Sequence, residues 1–178
     1  MKKLLLLLFV VVFSLTQLLA QESTFKQGDK VFNLGVGFGS TYYGSYYTSH
    51  TPALSASLEF GVKDGVLDKG SIGVGGYVGY SSATWANYYK TSNIIIGARG
   101  SFHYPLVSKL DTYTGLLLGY NIYSYKYESS YIGATGTSSG LAFAWFAGAR
   151  YYFSNNFAVL GEIGYGIAYL TVGVSLKF

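Results

Sequence analysis

The chain has 178 residues, no cysteine and a formal charge of +4, and only 11% of its residues are charged, against ~25% in a soluble domain. No disulfide, thiolate or lipid-modified N-terminal cysteine is available, and so small a positive excess gives no basis for nucleic-acid binding. A chain this poor in charge also makes a poor water-facing surface.

Met1-Lys2-Lys3 is a basic head, Leu4 to Leu15 is apolar apart from Ser14, and Ala20 stands before polar Gln21-Glu22-Ser23. This is the build of a secretory signal peptide, and its apolar stretch is short for a transmembrane helix. Residues 1–20 are therefore expected to be removed, which leaves residues 21–178 as one domain of formal charge +2. No later apolar run has the length of a membrane-spanning helix. An exported chain with little charge and no spanning helix has one good membrane option, a closed β-barrel.

Large apolar residues then recur with period two in eight segments: 31–39, 53–62, 71–81, 93–104, 112–123, 141–153, 157–166 and 169–178. In the first, Phe32, Leu34, Val36 and Phe38 oppose Asn33, Gly35 and Gly37; in the last, Leu170, Val172, Val174, Leu176 and Phe178 oppose Thr171, Gly173, Ser175 and Lys177. Each has about the 9–11 residues that a tilted strand needs to cross a bilayer. Ile94-Ile95-Ile96, Leu116-Leu117-Leu118 and Phe146 depart from the alternation. The expected fold is all-β, an eight-stranded antiparallel up-and-down transmembrane β-barrel.

The connections alternate in length. Ser40–Pro52, Ser82–Ser92 and Ser124–Gly140 read as long loops, and Lys63–Gly70, Pro105–Asp111 and Ser154–Asn156 as short turns, while the last connection, at Ile167-Ala168, is tight. Long loops outside and short turns inside are the pattern of outer-membrane barrels. Both prolines, Pro52 and Pro105, fall at expected strand ends, where no ladder donor is lost. Phe32, Phe60, Tyr104, Phe153, Phe157 and Phe178 would mark the periplasmic rim, and Phe38, Tyr80, Tyr120, Phe143 and Tyr169 the outer one.

A soluble lipocalin-like barrel would instead turn the bulky face inward and show Gly, Ala and Ser to water. The few strand charges argue against that: Glu59, Arg99, Arg150, Glu162 and Lys177 all share the small-residue face. In a narrow eight-stranded lumen they are expected to form an ion-pair network, with Arg150 and Glu162 directly opposed or diagonal across the turn at 154–156.

The last third, GARYYFSNNFAVLGEIGYGIAYLTVGVSLKF, resembles the small outer-membrane β-barrels, the outer membrane protein X-like and OmpA-type barrels. That resemblance implies a location as an integral protein of the cell outer membrane, with both termini periplasmic and with lipopolysaccharide among the lipids it meets. It also implies that Val172, Val174, Leu176 and Phe178 are read as a sorting signal by the barrel-assembly machinery. The fold does not transmit a function.

The residues offer little chemistry. Ser49, His50 and Glu128 could be assembled into a nucleophile and its base for an enzyme modifying lipid A, but only composition suggests it. Glu59 and Glu162 as a glycosidase pair fare worse, and the two histidines and scattered acids give no metal-ligand cluster. No catalytic residue, metal or cofactor is expected. Tyr42, Tyr43, Tyr46, Tyr47, Tyr88, Tyr89, Tyr127 and Tyr131 lie among Ser, Thr and Gly in the expected outer loops, a composition suited to adaptable contact surfaces. The expected role is structural or adhesin-like, towards an extracellular ligand or host surface. A small pore is the first alternative and an envelope-lipid enzyme the second.

Overall fold

The computed structural model describes residues 24–42, 49–86, 88–127 and 133–178; the expected signal peptide lies outside them. The eight strands are β1 (Lys30–Phe38), β2 (Ser49–Val66), β3 (Gly70–Trp85), β4 (Tyr89–Val107), β5 (Leu110–Tyr127), β6 (Thr135–Tyr152), β7 (Phe157–Gly164) and β8 (Leu170–Lys177). Each pairs antiparallel with the next, and β1 pairs with β8 from Val31↔Lys177 to Phe38↔Leu170, so the barrel closes with no strand left over. Closure satisfies the backbone groups that hydrocarbon cannot.

Three short turns and both ends of the described chain lie at one rim, called lower here. In two of the turns non-glycine residues take left-handed conformations: Leu67 and Asp68 between β2 and β3, and Lys109 between β4 and β5. At the upper rim Ala86 does the same between β3 and β4.

The apolar face of every strand points outward. Leu34, Val36, Leu54, Val74, Val78, Ile96, Leu116, Leu118, Ile163, Val172 and Val174 are all exposed on the exterior. Ten of the eleven aromatics expected at the two rims stand exposed there too, from Phe60, Tyr104, Phe153 and Phe178 below to Phe38, Tyr80, Tyr120 and Phe143 above. Water would not tolerate such a band, whereas acyl chains would.

Two expectations are corrected. The stretches Ser82–Ser92 and Ser124–Gly140 are mostly strand: Ser82 pairs with Ser92, Trp85 with Tyr89, and Lys126 with Thr135. Above the upper aromatic ring the outward residues become Ser82, Thr84, Lys90, Ser92, Ser124, Lys126 and Thr137, so the apolar contrast that marks a strand disappears although pairing continues. The prolines, too, lie within strands rather than at their ends. Pro52 falls in the register shift between Thr51 and Leu54, and Pro105 borders the one between Pro105 and Val107, where a missing N–H is tolerated.

The wall is consequently uneven. β2 to β6 are 16–19 residues long, whereas β7, β8 and β1 have eight or nine.

Candidate functional site: a sealed lumen and a one-sided upper wall

Inward positions of β2, β4, β5 and β6 bring Glu59, His103, Asp111 and Arg150 together near the lower rim. Arg150 Nη1 lies 2.9 Å from Asp111 Oδ2, and Arg150 Nη2 binds Glu59 Oε2. His103 closes the other side, with Nδ1 2.8 Å from Asp111 Oδ1 and Nε2 3.0 Å from Glu59 Oε1. Each carboxylate thus bridges both cations, one oxygen to each. An ionised carboxylate only accepts, so with Glu59 and Asp111 both ionised an imidazole protonated on both nitrogens completes the square at two negative charges against two positive ones. Arg150 is 1% exposed; a charge buried so deeply is tolerated only when paired in this way.

A second pair sits above. Arg99 Nη2 lies 3.0 Å from Glu162 Oε2, and its guanidinium stacks 3.7 Å from the centroid of the Phe146 ring. Tyr113 links the two levels: its hydroxyl donates to Glu162 at 3.0 Å, and its ring faces the Arg150 guanidinium at 4.4 Å.

Above Arg99 the lumen turns apolar. Ile95, Leu117, Phe146, Ala53 and Ala142 pack around Ile167, with Tyr42 and Tyr77 against them. Ile167 belongs to the β7–β8 connection, which folds into the barrel mouth instead of standing above it. The residues that broke the sequence alternation, Ile95, Leu117 and Phe146, are this seal. A cavity of about 40 Å³ beside this seal and the Arg99–Glu162 pair is half-open, since Trp145, Ile163 and Tyr165 of the outer β6–β7 face share its lining.

The expected network is therefore divided differently. The β6–β7 register sets Gly148 opposite Glu162 and Arg150 opposite Leu160, the diagonal arrangement, but Arg150 pairs with Asp111 directly opposite on β5 and reaches across to Glu59, while Glu162 turns to Arg99. Lys177 is at the lower mouth, 3.5 Å from Asp29 and 3.0 Å from the Thr24 carbonyl. His103 and Asp111 were missed as members, although both carry inward parity and sit at lower strand ends, as Arg150 does.

The square contains Ser101 too. Its Oγ lies 3.0 Å from His103 Nε2, which sets Ser101, His103 and Asp111 in the order of a catalytic triad. The hydrogen bonds run differently from those of a triad: Nε2 faces Glu59 as well, and Ser101 already donates to Glu59. As built, the three are a cross-brace. Of the other proposed groups, Ser49 and His50 begin β2 and Glu128 lies outside the described residues.

Of the loop tyrosines, Tyr43, Tyr46, Tyr47 and Tyr131 also lie outside the described residues. Tyr42 packs against the seal, and Tyr88 is exposed beside the β3–β4 turn. Tyr89 and Tyr127 point inward with Tyr123 and Tyr125, forming a ladder on the inner face of the raised wall. Tyr89 and Tyr127 have centroids 4.6 Å apart, and the Tyr89 and Tyr123 hydroxyls are 2.7 Å apart. Tyr125 lies across Gly136, where a Cβ would collide with its ring.

The raised wall has an open edge. β7 pairs with β6 only from Phe146 to Tyr152, and Tyr165 N–H adds one bond to the Trp145 carbonyl at 2.8 Å. Among the described residues no strand pairs with Thr135–Ala144 on that side, although their register with β5 is unbroken.

No protein-family model and no curated protein matches the sequence. Solved structures do. The N-terminal β-barrel domain of Pseudomonas aeruginosa OprF is similar, at a TM-score of 0.56 and 15% identity over 85% of this chain and 98% of that one. A de novo designed transmembrane β-barrel matches at 0.55 and 16%, over 86% and 98%. Ail, the attachment invasion locus protein of Yersinia pestis, solved with the heparin analogue sucrose octasulfate, matches at 0.52 and 14%, over 85% and 99%. The fold is that of the small transmembrane β-barrels. Val172, Val174, Leu176 and Phe178, the residues of the expected sorting signal, all stand exposed on the exterior of this barrel, beside Leu34 and Val36 of β1.

Proposed function

We propose that this chain is an integral outer-membrane barrel that does not conduct and that acts by contact at its upper rim, as a surface-interaction protein. The lower rim faces the periplasm in this reading. The leader-like N-terminus, the outward apolar band and the likeness to outer-membrane barrels support the location. The exposed β8 residues suit recognition by the assembly machinery, and the outward Lys90 and Lys126, just above the apolar band, suit the phosphate groups of outer-leaflet lipid.

The observation that carries the reading is the open β6 edge. Natural edge strands are usually blunted by charge, proline or a bulge. The short free edge of β2 carries Pro52 and a register shift, but Thr135–Ala144 contains neither charge nor proline. An edge kept open above the membrane is a template for an extended segment of a partner. A protein named for attachment among the similar structures fits this role.

The test is binding of cells displaying the protein to immobilised extracellular-matrix proteins and cultured host cells, with Gly140→Lys as the variant. A side chain at Gly140 meets open space, so the barrel should fold while the edge gains a charge. The parent should bind above an empty-vector control and the variant should lose most of that binding; equal binding by both would sink the edge as the contact. Conductance in planar bilayers checks the other half. Silence of a chain shown to be folded by its heat-dependent gel shift is expected, and stable unitary steps would make it a small pore instead.

A further inference from the structure

The lower mouth is closed by a piece of chain that belongs to no strand. Phe25 is 0% exposed and stacks on the His103 ring at 4.0 Å between centroids. Its carbonyl accepts a hydrogen bond from Ser71 Oγ at 2.9 Å. The rest of the segment is clasped from three sides. Gln27 N–H donates to Asp64 at 2.7 Å, Gly28 N–H donates to the Gly61 carbonyl at 3.0 Å, and Lys177 holds the Thr24 carbonyl. The wall is shaped for it, since a Cβ on Gly61 would run into the Lys26 carbonyl.

We propose that Thr24–Asp29 is a built-in stopper. The lower mouth is a peptide-binding site occupied by the chain's own N-terminal segment, with Phe25 as the anchor. The lumen is then sealed twice, by two unrelated pieces of chain: Phe25 beneath the charged square and Ile167 above the Arg99–Glu162 pair. The stopper can leave without breaking any strand pair, so the lower chamber opens while the barrel stays closed as a barrel. Its aromatic face excludes water from His103 and Arg150, and the square is dry only while the stopper is seated.

The chain has no cysteine, so a single one reports access. Ser175→Cys is the reporter, buried beside Asn33 and away from the groups that clasp the stopper. It would be challenged in the refolded barrel, N-terminal segment intact, with a small charged methanethiosulfonate reagent. It should react slowly. Adding Phe25→Ala, or Gly61→Val, which displaces the segment without touching Phe25, should raise the rate at least tenfold with the heat-dependent gel shift retained. Unchanged rates in both backgrounds would overturn the stopper. Should neither variant fold, hydrogen exchange of the unaltered protein decides: Gln27 and Gly28 amides as slow as those of β1 support the proposal, and free-peptide rates refute it.

Discussion

Two halves of one wall obey different rules. β7, β8 and β1 stop after eight or nine residues, about what a bilayer needs, and the chain between β7 and β8 dives into the lumen. β2 to β6 continue upward, and as they leave the apolar band their two faces trade character. Outside, Leu and Ile give way to Ser, Thr and Lys; inside, Gly and Ala give way to Tyr. Below that height lipid sets the exterior and crowding sets the interior. Above it the exterior turns polar, and the inner tyrosines pack on each other. Strand length therefore says little about membrane thickness here, and the point where the exterior loses its apolar residues says more.

Substitutions at matched positions test this division. The largest effect is expected at the charged square. Arg150→Ala leaves Glu59 and Asp111 buried with one cation fewer, and loss of a buried partner costs about 3–5 kcal/mol. Urea unfolding in detergent should show a midpoint shift of that order or no folded barrel; a shift within error would mean the square is not the lower brace. Next comes a pair on the same face of β5. Leu116→Arg, midway between the aromatic rims, should cost about 2–4 kcal/mol in a lipid bilayer, while Ser124→Arg should stay within about 0.5 kcal/mol. Similar losses at both would place Ser124 in lipid and remove the raised wall from water. The smallest effect belongs to the ladder. Tyr89→Phe removes the 2.7 Å contact with Tyr123 and should cost about 0.5–1.5 kcal/mol, read as faster amide exchange in the upper part of β4 and β5 with the lower part unchanged.

Inward and outward faces were legible in the sequence because lipid enforces them on every second residue. The height of the raised wall was not. In Tyr123-Ser124-Tyr125-Lys126-Tyr127 the alternation persists but is inverted, bulky inside and polar outside, and it reads as a loop to any rule that looks for an apolar exterior. The lumenal charges were legible as a set but not as pairs. Arg150 and Glu162 are neighbours along the turn, yet Arg150 pairs with Asp111 directly opposite on β5 and with Glu59 across the lumen, while Glu162 reaches Arg99; cross-lumen distances follow from tilt and closure, which no local pattern carries. Phe25 was invisible for the opposite reason: a single aromatic among polar residues has no periodicity to announce it.

The charged square also bears on how the barrel is put together. Its four corners come from β2, β4, β5 and β6, so it cannot form until the chain has curled far enough to bring the first of these opposite the last. Slipping any of these strands by one residue turns its corner outward, into hydrocarbon, and leaves one of the three charges still inside uncompensated. A misaligned barrel is thus penalised far more heavily than the correct one is rewarded. The square works as a check on register, read out once when the sheet closes.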